Sequence, residues 1–225
     1  MPQPVIYPLC LLAGALLAAA AGVLHPDLAG DGAAQLTIIA HTDAWRAIHW
    51  AFLFGFPLSL AGLVGLARAQ ATTPGESAVR AGLIVGTFAY SAWSIIVAFM
   101  VGAGWSLAQS FTQADAGMTA TRAVFLFDML HPFGLAAQRV AGFALGLSTY
   151  LLGWGVVNGK VLPRGLGVGG VAAGAVAMAL AVAFPETTKA DQAAFVLPVL
   201  WQLVMGVVML RQTLAARRRA AAVAP

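Results

Sequence analysis

Apolar residues along this chain fall in long, nearly unbroken runs rather than in the alternating or one-sided patterns of soluble strands and helices. A bilayer core of about 30 Å is crossed by about 20 apolar residues in a helix. Six stretches meet that length: 5–24, 45–67, 81–107, a long one within 121–157, 165–184 and 193–210. The pattern therefore predicts an all-α, polytopic bundle of six transmembrane helices in a single domain, 1–225, with connections too short for a soluble module. The first run could be taken for a cleaved signal, since 18–21 is a run of small residues. Its first four residues carry no Lys or Arg and the run is long for a signal core, so it is read as a retained span.

The fourth run needs a break. From 121 to 157 a continuous helix would measure about 55 Å, far beyond the core. Pro132 lacks an N–H and would leave the carbonyl of Asp128 without its helical partner. The expectation is a separate or re-entrant outer segment, 121–131, followed by a span over 133–157. Pro57 and Pro198 predict kinks in the second and sixth spans, with Trp93, Ser94, Trp201 and Gln202 available to line a midplane cavity.

Composition agrees with the runs: 60% of the 225 residues are hydrophobic and 9% charged, and the mean hydropathy is +0.86. An ordinary soluble domain carries roughly 25% charge, so a soluble globular chain is excluded, and so is a disordered one. The lone Cys10 excludes an intramolecular disulfide. The excess of Lys and Arg forms no basic face with stacking aromatics, which excludes nucleic acid as a partner.

The sparse charges give direction. Arg68, Arg80, Lys160, Arg164, Arg211, Arg217, Arg218 and Arg219 fall on one side of the six runs, the last four in a basic tail, 211–225. The opposite side holds Arg46, Arg122 and Lys189 with Asp27, Asp31, Asp43, Asp115, Glu186 and Asp191. The basic side is expected to be cytoplasmic, with both termini on it. Tyr7 and Trp154 fall near the inner boundary, and Trp45, Trp50 and Trp105 near the outer one, as interfacial belts. Glycines four apart, at 82/86, 142/146, 165/169 and 170/174, make flat faces for helix packing, within the bundle or in a homodimer.

All four histidines map to the outer half: His25, His41, His49 and His131. Asp128 lies three residues before His131, on the same helical face, while Gln138 and Arg139 follow one to two turns into the span. A charge in hydrocarbon costs at least about 2.5–3.5 kcal/mol, so Asp128 and Arg139 are expected to face the bundle interior or a wet site. Neutral imidazole suits zinc, copper or haem iron, and a neighbouring carboxylate orients the ring or joins the ligand set. The candidate metal set is His49, His131 and Asp128 with His25 and His41 from the covering loop, and Arg139 and Gln138 as ligand-binding residues. A single haem b between His49 and His131 is the related alternative, and acid–base switching of the histidines a third. No HxxxH, HExxH, CxxC, nucleophile elbow or phosphate loop is present. Structural readings stand beside these: Arg139 as a carbonyl-capping residue and Asp128 with His131 as a pair that locks the fold.

Leu130, His131, Pro132, Phe133 and Gly134, then Gly142 to Gly153 with Leu151, Leu152 and Gly153, then Val161, Leu162, Pro163, Arg164, Gly165, Leu166, Gly167 and Val168 resemble a family of bacterial six-helix membrane proteins defined as a domain of unknown function. The likeness covers 130–183, roughly a quarter of the chain, and the first half departs from the family pattern. It implies a six-span architecture and the bacterial inner membrane, and no reaction. The function expected is a polar site in the outer half that binds a metal, haem or a small polar ligand. The alternatives are a non-catalytic structural or assembly subunit of a larger membrane complex and an intramembrane metal-dependent hydrolase.

Overall fold

Nine segments of helix follow one another in the computed structural model, which describes residues 4–113, 118–185 and 188–223. They are α1 (Ile6–Leu24), α2 (Gly32–Ala40), α3 (Trp45–Ala69), α4 (Glu76–Phe99), a π-helical turn (Met100–Gly104), α5 (Trp105–Gln113), α6 (Met118–Gly159), α7 (Arg164–Ala183) and α8 (Lys189–Val223). Six are long and apolar enough to cross a bilayer, α4 running on through the π turn into α5 as one of them. The chain is a multi-pass helical membrane protein, and no strand occurs among the described residues. Asp115 and Glu186 lie outside the described residues, as do the side chains of Lys189 and Asp191.

Arg68 at the end of α3 donates to the hydroxyl of Tyr7 at the start of α1 (2.9 Å), and the α3–α4 turn packs Gly75 on Gly155 of α6. Gly206 of α8 packs on Leu12 of α1, and Gly22 of α1 approaches Phe195 of α8, so the start of α1 and the end of α8 belong to one face of the bundle, the terminal face. The ends of α1, α5 and α7 lie at the opposite, loop face.

Backbone contact holds the helices together, as expected where lipid removes the hydrophobic preference between helices and close packing decides association. A Cβ on Gly174 of α7 would stand 2.4 Å from the Tyr150 nitrogen and 2.5 Å from the Gly146 oxygen of α6. One on Gly153 would stand 2.5 Å from the Val171 nitrogen. Gly14 of α1 and Gly55 of α3 form the same kind of crossing, where a Cβ on Gly14 would lie 2.6 Å from the Gly55 oxygen. Most of the glycine faces are thus spent inside the chain. Gly165 and Gly169 differ: a Cβ on either meets nothing within 4 Å.

The break expected at Pro132 is corrected by the structure. Met118–Gly159 is one helix of 42 residues with Pro132 inside it, so 121–131 is neither a separate nor a re-entrant segment. The proline ring is exposed, and the carbonyl it orphans belongs to the equally exposed Asp128, where solvent can satisfy it. The excess length is resolved by protrusion. At about 63 Å, α6 extends past the core at the loop face, where its first turns pack against α5 and α2. The covering loop itself contains α2, started by Asp31, whose carboxylate accepts from the Ala34 amide (2.9 Å). The basic tail is helical as well, because α8 continues through Arg211 and Arg217 to Arg219 with these side chains exposed.

Candidate functional site

Trp45, the first residue of α3, is wholly buried, which corrects its reading as a lipid-facing belt residue. Its indole N–H donates to the carbonyl of Met100 (2.9 Å), the first residue of the π turn. A π turn disturbs the regular i to i−4 ladder and so exposes backbone carbonyls. One of them holds the tryptophan that His49 and His25 pack against. The ring centroids are 4.2 Å apart for Trp45 and His49, and 5.2 Å for His25 with either Trp45 or His49. Trp50, by contrast, is exposed.

Two imidazoles in this cluster have their tautomer fixed by the backbone. His49 Nδ1 lies 2.7 Å from the Trp45 carbonyl, and His25 Nδ1 lies 2.8 Å from the Pro26 carbonyl. A carbonyl only accepts, so each Nδ1 carries the proton and each Nε2 keeps its lone pair when the ring is neutral. Burial pushes the His25 imidazole below its ordinary range, outweighing the Pro26 carbonyl and the Asp27 carboxylate, which both favour the charged form. His25 is consequently neutral at pH 7.

From His49 a column of aromatic rings leads inward. Phe52 meets His49 at 6.5 Å, Phe195 meets both Phe52 (5.8 Å) and Trp93 (4.4 Å), and Phe56 meets Tyr90 at 5.0 Å. The column ends on three buried polar groups, Ser59, Tyr90 and Gln202. The Tyr90 hydroxyl donates to Gln202 Oε1 (2.8 Å). Gln202 Nε2 is buried with no partner in the structure. Trp93 packs on Phe195 and Gln202 pairs with Tyr90, whereas Trp201 faces α7 and donates to the Leu166 carbonyl (2.9 Å).

The structure divides the remaining candidates. Asp128 is exposed and its carboxylate lies over Gly32, the first residue of α2, where a Cβ would stand 2.0 Å from Oδ1. An anion there is favoured by the helix dipole, and the contact fastens α2 to α6. His131 is nearly buried and stacks on Phe127 (4.7 Å, 24°). His41 is exposed at the end of α2, with Nδ1 on the Thr37 carbonyl (2.8 Å). Arg139 donates to the carbonyl of Phe184 (2.8 Å), capping the end of α7. Gln138 is half-buried beside it on α6. Among the described residues no three His, Cys, Asp or Glu side chains are arranged to hold one metal ion. His49, His131, Asp128, His25 and His41 therefore do not form one ligand set, and His25 and His49 are the two that make ring contact with each other.

Trp45 and Tyr90 are the members of the site that sequence reasoning missed. The only local signal for Trp45 was its i, i+4 spacing to His49. No protein-family model, curated protein or solved structure matches this chain.

Proposed function

We propose that the chain binds a transition-metal ion of the zinc or copper class through His25 and His49 at the loop face of a six-helix membrane bundle. The observation that carries this reading is the pair of fixed tautomers: two neighbouring rings, each with Nδ1 committed to a main-chain carbonyl and Nε2 left as a ligand. Metal-binding histidines characteristically hold their second nitrogen in this way. Two imidazoles leave coordination positions to water or to a donor from another molecule, unlike a closed four-ligand structural site. The 5.2 Å edge contact between the rings leaves no slot for a porphyrin between them, so the reading favours an ion over haem at this pair.

The same reading places the loop face outside the bacterial inner membrane. Arg68, Arg80, Lys160, Arg164 and the tail arginines at the terminal face support cytoplasmic termini.

Elemental analysis of the purified protein, with an optical spectrum, tests the proposal. About one equivalent of zinc or copper without a Soret band is expected. A metal-free preparation that takes up neither ion on titration would overturn it, and a stoichiometric co-purifying partner in such a preparation would favour an assembly subunit instead.

A further inference from the structure

At the terminal face, the turn between α6 and α7 encloses a hollow of about 490 Å³ lined by Val157, Asn158, Lys160, Leu162 and Arg164. Beside it runs a groove of about 550 Å³ between α7 and α8, whose walls include Gly165, Gly169, Ala173, Leu200, Trp201 and Val204. The two adjoin at residues 162–165: Leu162 and Arg164 line the first, Pro163 and Gly165 the second. One hollow offers cations and an amide, the other only apolar surface, and the apolar one extends along the membrane-spanning part of α7.

From this juxtaposition we infer that the α6–α7 turn and the α7–α8 groove form a binding site for one anionic phospholipid, with phosphate at Lys160 and Arg164 and an acyl chain along Gly165, Gly169 and Ala173. Three observations commit the site to that occupant. Among the described residues no carboxylate pairs with Lys160 or Arg164. Arg164 is the first residue of α7, and Pro163 before it supplies no side-chain cap. A cation at a helix N-terminus opposes the helix dipole, and an anion there offsets the cation and is favoured by the dipole. The groove is open because Gly165 and Gly169 have no neighbour where a Cβ would stand, and from Gly165 to Ala173 it rises about 12 Å, the length of a substantial part of an acyl chain. Basic hollows between membrane helices recognise anionic headgroups in this manner.

The full chain, purified in detergent, is tested by its thermal midpoint with added phosphatidylglycerol, with phosphatidylcholine of matched acyl chains, and with glycerol 3-phosphate. Phosphatidylglycerol is expected to raise the midpoint by about 2–4 °C more than phosphatidylcholine, and glycerol 3-phosphate to leave it unchanged. The difference should vanish in Lys160→Gly/Arg164→Gln, which removes the charge, and in Gly169→Leu, which fills the groove. These variants are expected to fold, since Lys160 has a φ of 57° that glycine adopts freely and Gly169 faces open space. Equal stabilisation by both lipids, or variants that keep the preference, would overturn the inference. A full shift with glycerol 3-phosphate alone would reassign the turn to a soluble anion. A dimer in native mass spectrometry that Gly169→Leu dissolves would reassign the groove to a second copy of the chain.

Discussion

Trp45 shows how one residue's burial follows from a partner far along the chain. Its indole pairs with a carbonyl of the π turn 55 positions later, and in doing so it supplies the surface on which two histidines rest. Trp45→Phe removes a hydrogen bond worth about 0.5–1.5 kcal/mol and leaves a carbonyl without its partner. The expected result is a stability loss of about 1–3 kcal/mol in a denaturant titration, against a change within about 0.5 kcal/mol for the exposed Trp50→Phe. His25 gives a second residue-scale prediction. Its folded pKa lies below the unfolded value of about 6.5, so between the two values the unfolded chain holds more protons. Stability should therefore be fully present above pH 6.5 and fall as the pH drops through that value towards the folded pKa. In His25→Asn this part of the acid limb should be missing from a midpoint-against-pH curve. Such effects were only half legible in the sequence. The histidines stood out as rare polar residues near span ends, but nothing local distinguished a buried tryptophan from an interfacial one.

The elements were legible where hydropathy alone decides and illegible where packing does. All six spans follow from run length, because a bilayer imposes one length on every crossing. The nine-residue α2 was not legible from hydropathy because it is too short to cross a bilayer, although Asp31 marks its start with an N-cap side chain. The helix through Pro132 escaped for the opposite reason: proline is a strong breaker, yet here its ring and the orphaned carbonyl both face outward. Because the helix continues, Pro132→Ala should restore the missing bond and raise stability by up to about 3 kcal/mol. A loss of stability in the same measurement would indicate that α6 relies on the proline. The glycine faces separate in the same way. Gly174→Ala drives a methyl into the α6 backbone and should cost about 1–3 kcal/mol. Gly169→Ala enters open space and should leave the unfolding curve in place.

As a whole, the molecule divides its polar chemistry between two faces. The terminal face gathers Arg68, Arg80, Lys160, Arg164 and the arginines of α8, and the loop face carries His25 and His49, with His41 at the end of α2 and His131 on α6. An aromatic column joins the histidine cluster to Ser59, Tyr90 and Gln202 in mid-bundle. The structure brings His25 and His49 into ring contact and gives Asp128, His131 and Arg139 other partners. Asp128 and Arg139 each fasten a helix end, which is how a chain with few charges uses them in or near lipid. Neither role could be read from spacing along one helix, since each partner lies on another.

Copper titration of the purified protein, followed through tryptophan fluorescence, tests the central claim most directly, because Trp45 lies 4.2 Å from the His49 ring and a bound cupric ion would quench it. The proposal predicts saturable quenching at about one equivalent, abolished in His25→Ala and His49→Ala and retained in His41→Ala and His131→Ala. Quenching that survives both of the first two substitutions, or that depends equally on all four histidines, would contradict it.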